Sequence, residues 1–208
     1  MKIQTIPCGL IYTNTYFAYD LGDNKCIIVD PAVYLDKLAE HIASEGLELA
    51  YIILTHGHGD HIGGVNGFKK RFPKCRLVAA ADEAELLSDI DMNYSKEYVR
   101  GGVSLEADIW VRDGDRLLAG DTEFIFYMTP GHTKGGMCIY SEKDKTLFSG
   151  DTLFCASVGR TDLYGGSFQE LQQSIKGKLY SLPDDTRVLP GHDAETTIGF
   201  EKKHNPFV

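Results

Sequence analysis

The sequence has 208 residues, which is enough for one large domain or two small ones with a contiguous core. Apolar residues make up 43% of the chain and charged residues 25%, as is ordinary for a soluble globular protein. The formal net charge of −9 argues against a nucleic-acid-binding surface or an anionic-membrane surface, because either requires basic patches.

The N-terminal residues and the cysteines indicate the cellular compartment in which the protein is expected to occur. No apolar run approaches the length that spans a bilayer, and residues 1–7 lack the apolar core and the cleavage site of a signal peptide. The five cysteines are odd in number and widely spread, with no CxxC pair. This spacing favours reduced thiols over a disulfide or a cysteine metal site. We therefore expect a cytoplasmic protein with no membrane partner.

The first half of the chain is predicted to start with strands and to continue with alternating strands and helices. Strands are expected at 2–6, 15–19 and 25–29, and a helix at 34–45 ending before Gly46. A buried strand at 50–54 leads into a histidine-rich loop. A helix at 64–71, a strand at 76–79 and a short helix at 82–87 follow. Residues 91–106 have no clear period, so we expect a surface loop that covers the histidine-rich one.

The second half is again rich in predicted strands. They are expected at 109–111, 116–119, 123–129, 137–140, 146–148 and 186–189. Helices are predicted at 167–179, with Ser167 as the N-terminal cap, and at 195–203. No linker separates the two β-rich halves, each of which has covering helices. A single α/β domain spanning residues 1–208 is therefore expected, arranged as a four-layer α/β/β/α sandwich.

The strongest motif is His56-x-His58-x-Asp60-His61, within a run that extends from Thr55 to Gly64. Four potential metal ligands fall within six positions, directly after the predicted strand at 50–54. Imidazole and carboxylate groups suit zinc, manganese or iron, and the intervening glycines let several ligands approach one centre. A metal site is therefore more plausible than a polar surface turn.

Three further ligand candidates also follow predicted strands. His132 and His192 each end a Pro-Gly-His turn, and Asp151 lies in Ser149-Gly-Asp151. Each turn is weak evidence alone, but five of the seven histidines occupy such settings. The other two, His41 and His204, are expected to be structural or solvated.

The ordered set of Asp30, the histidine motif, His132, Asp151 and His192 resembles the metallo-β-lactamase fold hydrolases, and the likeness covers essentially the whole chain. Val158-Gly-Arg-Thr-Asp162 and the C-terminal motifs resemble the glyoxalase II-like (hydroxyacylglutathione hydrolase-like) branch. These C-terminal motifs are Pro190-Gly-His192, Thr196-Thr-Ile-Gly-Phe-Glu201 and Asn205-Pro-Phe207. Because the sequence given ends at Val208, the match is to the short forms without the C-terminal helical domain that helps to hold glutathione.

The resemblance implies two divalent metal ions, with zinc expected and iron or manganese as alternatives. It assigns His56, His58 and His132 to the first ion. It assigns Asp60, His61 and His192 to the second ion, with Asp151 bridging the two. Asp30 would orient a ligand histidine, and Thr55 is a weaker candidate for the same role. Arg160 is expected to hold the neighbouring loop through a buried ion pair.

The implied function is hydrolysis of a thioester such as an S-acylglutathione by a metal-bridging hydroxide, with no serine or cysteine nucleophile. Asp151 and Asp60 are the catalytic candidates, Asp60 by orienting the hydroxide or receiving its proton. The expected partner is a small-molecule thioester or ester, and the chain is expected to be a monomer or a homodimer. Alternatives are hydrolysis of another ester or a lactone, a persulfide dioxygenase-like enzyme with one iron, and a non-catalytic metal-binding protein.

Overall fold

The computed structural model describes residues 1–208, and two six-stranded β-sheets make up its centre. The first sheet has the strand order β1-β2-β3-β4-β5-β6. Its strands are β1 (Lys2–Cys8), β2 (Thr13–Tyr19), β3 (Lys25–Val29), β4 (Glu48–Ile53), β5 (Arg76–Ala80) and β6 (Ile109–Val111). The first three strands pair antiparallel, whereas β3 to β6 run parallel. The parallel strands end at one edge of the sheet, where loops can converge.

The second sheet is mainly antiparallel. Its strands are β7 (Arg116–Ala119), β8 (Thr122–Met128), β9 (Met137–Ser141), β10 (Thr146–Gly150), β13 (Arg187–Pro190) and β14 (Thr196–Thr197), in the order β14-β13-β10-β9-β8-β7. Only β10 and β13 pair parallel. A small hairpin of β11 (Leu153–Phe154) and β12 (Ser157–Val158) follows β10.

Seven α-helices surround the sheets. They are α1 (Asp36–Ser44), α2 (Gly59–Ile62), α3 (Val65–Arg71), α4 (Ala84–Ser88), α5 (Ser95–Tyr98), α6 (Phe168–Gly177) and α7 (Ile198–His204). The Ser167 hydroxyl accepts a hydrogen bond from the Glu170 backbone N–H, which confirms the predicted cap of α6. None of these helices combines the length and the apolar character that crossing a bilayer requires.

The side-chain alternation of the strands produces three apolar clusters and hence four layers. Phe17 and Ile28 lie in a cluster with Phe68 of α3, on the outer face of the first sheet. Ile27 lies on the opposite face, in a cluster with Phe126 of the second sheet. A third cluster covers the outer face of the second sheet with residues of α6 and α7. The predicted α/β/β/α sandwich is confirmed.

Several predicted element boundaries are wrong. The helix predicted at 195–203 begins only at Ile198, because residues 196 and 197 extend the second sheet as β14 and Thr197 caps the helix. The histidine-rich loop is itself partly helical, since α2 precedes α3. The loop predicted at 91–106 contains the helical turn α5, which is held by contacts that are distant in sequence.

Candidate metal centre

Five strand ends deliver the candidate ligands to one edge of the two sheets. Asp30 follows β3, and the histidine motif follows β4. From the second sheet, His132 follows β8, Asp151 follows β10 directly, and His192 follows β13. Side chains anchored immediately after strands have little freedom, so this arrangement suits a rigid polar site between the sheets.

The first group consists of His56, His58 and His132, all of them buried. One ring nitrogen from each lies within 4.8 Å of the others. Nδ1 of His58 is 2.9 Å from Nε2 of His132, although these residues are 74 positions apart in the chain. The three imidazoles thus converge as ligands of one cation would.

The second group consists of Asp60, His61 and His192, whose ligand atoms also lie within 4.8 Å of one another. Oδ2 of Asp60 is 3.3 Å from Nε2 of both His61 and His192. The Thr13 hydroxyl donates to the same carboxylate oxygen at 3.0 Å. Thr13 lies on β2, and no local motif in the sequence marks it as part of the site.

Asp151 lies between the two groups. Its Oδ1 is 3.5 Å from Nε2 of His61, and its Oδ2 is 3.6 Å from Nε2 of both His132 and His192. Gly191 makes room for this carboxylate, because a Cβ there would collide with Asp151 Oδ1 and lie 2.7 Å from Cε1 of His61. The structure therefore brings together all seven predicted ligands, and their metal-binding roles stay predictions.

Unpaired polar atoms indicate that the donor set suits cations. Five buried side-chain nitrogen or oxygen atoms lack a hydrogen-bond partner in the whole structure. Four of these belong to the two groups and Asp151: Nε2 of His56, His58 and His61, and Oδ1 of Asp151. Since unpaired buried polar atoms are rare, the concentration of these atoms in the two groups is the pattern expected of a site that binds metal ions.

Hydrogen bonds at the far side of the rings fix the orientation of His56 and His61. Asp30 Oδ2 accepts from Nδ1 of His61 at 2.9 Å and from the Thr55 hydroxyl at 2.6 Å. Because the Thr55 proton is directed to Asp30, its oxygen accepts from Nδ1 of His56 at 3.1 Å. The Nε2 atoms are thereby left as the metal-facing acceptors.

Arg160 differs from its predicted role. Its guanidinium forms a two-point ion pair with Asp162, at 2.7 Å for each contact, but both side chains are exposed rather than buried. Its backbone carbonyl instead contacts the site, by accepting a hydrogen bond from Nδ1 of His132 at 2.7 Å. A backbone acceptor carries no residue-specific signal, so the sequence could not reveal it.

The two groups differ in the pKa values of their histidines. Burial lowers the pKa of His56 well below its usual value, and burial with the neighbouring His132 lowers that of His58 to about 3. Burial also opposes a charge on His61, but the carboxylates of Asp60, Asp151 and Asp30 outweigh it and raise the pKa. His56 and His58 are therefore neutral, whereas His61 attracts a proton in the absence of metal.

A cavity of about 570 Å³ opens over the two groups. Its walls contain Tyr94, Tyr98, Phe154 and Leu163, whose positions no sequence motif indicated. Tyr94 has a left-handed backbone (φ 57°) and its ring centroid is 6.0 Å from that of His58. Such strain in a bulky residue is uncommon and is typical of functional sites. The predicted loop at 91–106 thus contributes to the cavity.

Comparison with known proteins identifies close relatives of the whole chain. The family described as the Metallo-beta-lactamase superfamily matches residues 8–192. The probable metallo-hydrolase YqgX of Bacillus subtilis (strain 168) is 34% identical, and the match covers 100% of this chain and 98% of that protein. The hydroxyacylglutathione hydrolase GloC of Haemophilus influenzae is 31% identical, also over 100% of this chain and 98% of GloC.

Solved structures agree along the whole length. The B3 metallo-beta-lactamase BLEG-1 is 37% identical with a TM-score of 0.90, and the match covers 99% of each chain. TTHA1623 in a di-iron-bound form is 30% identical with a TM-score of 0.85, over 99% of this chain and 100% of that one. These similarities extend to the fold of the whole chain.

Proposed function

The chain belongs to the metallo-beta-lactamase superfamily, and from that membership we propose that it is a dinuclear metal-dependent hydrolase of the glyoxalase II-like branch. Its substrate is a small-molecule thioester of the S-acylglutathione type. Two observations support this branch: the 31% identity to GloC over the whole chain, and the motif order from Val158 to Phe207.

The observation that carries the proposal is the convergence of seven donors from both sheets into two groups joined by Asp151. His56, His58 and His132 would hold one ion, and Asp60, His61 and His192 the other. Two ions in these positions would supply Lewis acidity and a water of lowered pKa. We propose zinc as the metal, with iron as the first alternative because TTHA1623 is described in a di-iron form.

Asp60 is the proposed orienting group for the attacking water. Although burial opposes its charge, His61 and His192 outweigh burial and lower the pKa of Asp60, so it remains ionised. A carboxylate with a lowered pKa is a weak base but a strong hydrogen-bond acceptor. This favours orientation of the water over permanent capture of its proton. Thr13 fixes the carboxylate by donating to Oδ2.

The cavity suits a small acyl group whose carbonyl lies over Asp151. Tyr94, Tyr98 and Phe154 supply aromatic surface, and Val158 and Leu163 add aliphatic surface. Walls of this kind bind apolar parts of a ligand and exclude water from the carbonyl. Polar contacts at the rim are available from residues such as Arg160, whose guanidinium is exposed.

A thioester is favoured by the chemistry of its leaving group. A thiol has an ordinary pKa of about 8.5, so the thiolate departs near neutral pH without a proton from the protein. An alkoxide or an amine would need a general acid at the leaving atom. The carboxylates that line the cavity include Asp60, whose lowered pKa keeps it ionised and unable to supply that proton.

The proposal is tested by a hydrolysis assay with matched acyl groups. S-Lactoylglutathione, a lactate oxygen ester, a lactone and a β-lactam would be compared with zinc-loaded protein, and chelator-treated protein would be the control. We expect the highest kcat/KM for the thioester and a loss of turnover after chelation. Metal analysis of the purified protein should give about two equivalents per chain.

Other outcomes would contradict the proposal in distinct ways. A single iron per chain together with oxygen uptake on glutathione persulfide would indicate the persulfide dioxygenase-like alternative. Preferred turnover of the β-lactam would favour an activity like that of BLEG-1, which is described as a metallo-beta-lactamase. Preferred turnover of the lactone or of the oxygen ester would keep a metal-dependent hydrolase but exclude thioester specificity.

A further inference from the structure

Glu83 is a buried carboxylate to which the proposed mechanism assigns no role. It ends a single 3-10 turn (Ala81–Glu83) that follows β5, and its exposed fraction is 1%. No lysine, arginine or histidine forms a salt bridge with it. Placing a charge in the interior without a cation is unfavourable unless hydrogen bonds satisfy its oxygens. The position of those hydrogen bonds is therefore informative.

Three donors converge on Glu83 from the two loops that carry the first group. Oε2 accepts from the backbone N–H of Gly57, which lies between His56 and His58, at 2.8 Å. Oε1 accepts from the Thr133 hydroxyl at 2.6 Å and from the Gly135 backbone N–H at 2.8 Å. Thr133 directly follows His132. One side chain thus connects the loop after β4 of the first sheet with the loop after β8 of the second.

Two glycines allow both loops to approach Glu83 closely. A Cβ on Gly57 would lie 3.0 Å from Oε2 of Glu83, and a Cβ on Gly135 would lie 2.6 Å from the carbonyl carbon of Asp82. Both distances are shorter than ordinary carbon contacts. The loops are therefore packed against the turn at the points where they donate to the carboxylate.

From this geometry we infer that Glu83 is the positioning residue of the first group: it holds the His56–His58 loop and the His132 loop at the separation required for one metal ion. The second group has separate supports, since the Asn14 side chain donates to the carbonyls of Pro190 and Asp193, and Thr13 donates to Asp60. Loss of Glu83 should therefore weaken one metal site selectively.

The test is a zinc titration of metal-free protein in competition with a chromophoric chelator. For Glu83→Gln, which replaces one acceptor oxygen by a donor, we expect the first-group Kd to rise about 10-fold to 100-fold, as for other residues that orient ligands. Glu83→Asp is too short to reach both loops and should behave similarly. Thr133→Val removes a single donor and should give a smaller rise. The titration is repeated in a His192→Ala background, which lacks a second-group donor. This comparison shows which of the two sites has been weakened.

Glu201→Gln is the matched control, because Glu201 is equally buried and accepts from the Ala156 backbone N–H, the Thr196 hydroxyl and the Asn205 amide. It should lower the melting temperature of the metal-free protein but leave the first-group Kd within about threefold. If Glu83 had a purely structural role, its variants would also lower the melting temperature and leave the first-group Kd within about threefold. That result would overturn the inference. Equal weakening of both groups would also overturn it. The titration uses no substrate, so failure of the thioester proposal would leave its outcome unaffected.

Discussion

Asp30 accepts hydrogen bonds from both the loop backbone and a candidate ligand. The Thr55 backbone N–H donates to Oδ1 at 2.8 Å, and Nδ1 of His61 donates to Oδ2 at 2.9 Å. Its backbone is left-handed (φ 50°), a conformation that asparagine also tolerates. Asp30→Asn therefore tests the charge and the acceptor without adding backbone strain. We expect it to lower zinc affinity of the second group about 10-fold to 100-fold.

Asp23→Asn is the control for this variant, because Asp23 has a similar left-handed backbone (φ 49°) in an exposed turn. Chelator competition should give wild-type affinity for Asp23→Asn. Wild-type affinity for Asp30→Asn as well would exclude an orienting role of the Asp30 carboxylate.

Asp151 is the residue whose loss should affect both groups, since its two oxygens face histidines of each. We expect Asp151→Ala to remove one or both metals. Activity should fall by more than about 100-fold, beyond the range typical of residues that only orient ligands. Circular dichroism should show a preserved fold. Metal content by elemental analysis and turnover are the measurements, and unchanged activity would rule out the bridging role.

The protonation of the histidines predicts a pH dependence that differs between the groups. The pKa of His192 is raised, because its hydrogen bond to Asp60 and the nearby Asp151 outweigh burial; that of His61 is raised as well. Histidines with raised pKa values carry protons near neutral pH and must release these protons before they bind metal. His56 and His58 have lowered pKa values and are already neutral.

Zinc affinity of the second group should therefore rise from about pH 6 to about pH 8, whereas that of the first group should change less. Chelator competition at several pH values measures both constants. Calorimetry in buffers of different ionisation enthalpy should detect proton release on filling the second group. Equal pH dependence of the two groups would contradict this assignment.

At the scale of elements, the packing of α2 against α5 fixes the histidine motif. The Gly59 backbone N–H donates to the carbonyl of Asn93 at 2.7 Å, and a Cβ on Gly59 would lie 2.7 Å from the backbone nitrogen of Ser95. Because backbone atoms cannot yield as a flexible side chain does, Gly59→Ala should destabilise the protein by about 1–3 kcal/mol. Urea unfolding measures this change.

Gly177→Ala is the matched substitution at a glycine with free space. It lies at the end of α6, and a Cβ there would meet nothing within 4 Å. Alanine in a helix is favoured over glycine by about 0.5–1 kcal/mol, so this variant should be neutral or slightly more stable. A comparable loss of stability in both variants would exclude the proposed collision at Gly59.

The same contact explains why one element was difficult to predict. Residues 91–106 lack hydrophobic periodicity, and their turn α5 is held by Gly59 and by hydrogen bonds of Asn93 and Ser95 to Val103. Such contacts follow from tertiary packing rather than from local propensity. By contrast, α6 has apolar residues at helical spacing and a serine cap, so its existence and start were predictable.

At the scale of the whole molecule, metal binding should connect the two sheets. His56 and His58 follow a strand of the first sheet, whereas His132 and His192 follow strands of the second. Ions bound across this boundary stabilise the folded state by mass action, by about 2.7 kcal/mol when free metal is 100 times Kd. For a domain of this length we expect the melting temperature to rise about 5–10 °C.

Differential scanning fluorimetry with zinc and with chelator measures this shift. Asp151→Ala is the control, and its melting temperature should respond much less to zinc. An equal rise in both proteins would indicate non-specific binding, and no rise in the wild type would contradict occupation of a site between the sheets.

The sandwich fold and the candidate ligands could both be predicted from motifs in the sequence. Strand alternation and glycine turns are local patterns, and His56, His58, Asp60 and His61 lie within one short motif. Their order with the later residues was distinctive enough to indicate the superfamily.

The contacts that support these donors in space could not be predicted from the sequence, because they depend on tertiary packing. His58 and His132 come within 2.9 Å across 74 positions, and the contacts made by Thr13, Glu83 and the Arg160 carbonyl join segments that are equally remote in sequence. The physical reason is that hydrogen-bond partners depend on which strand ends meet, and a one-dimensional pattern does not specify that meeting.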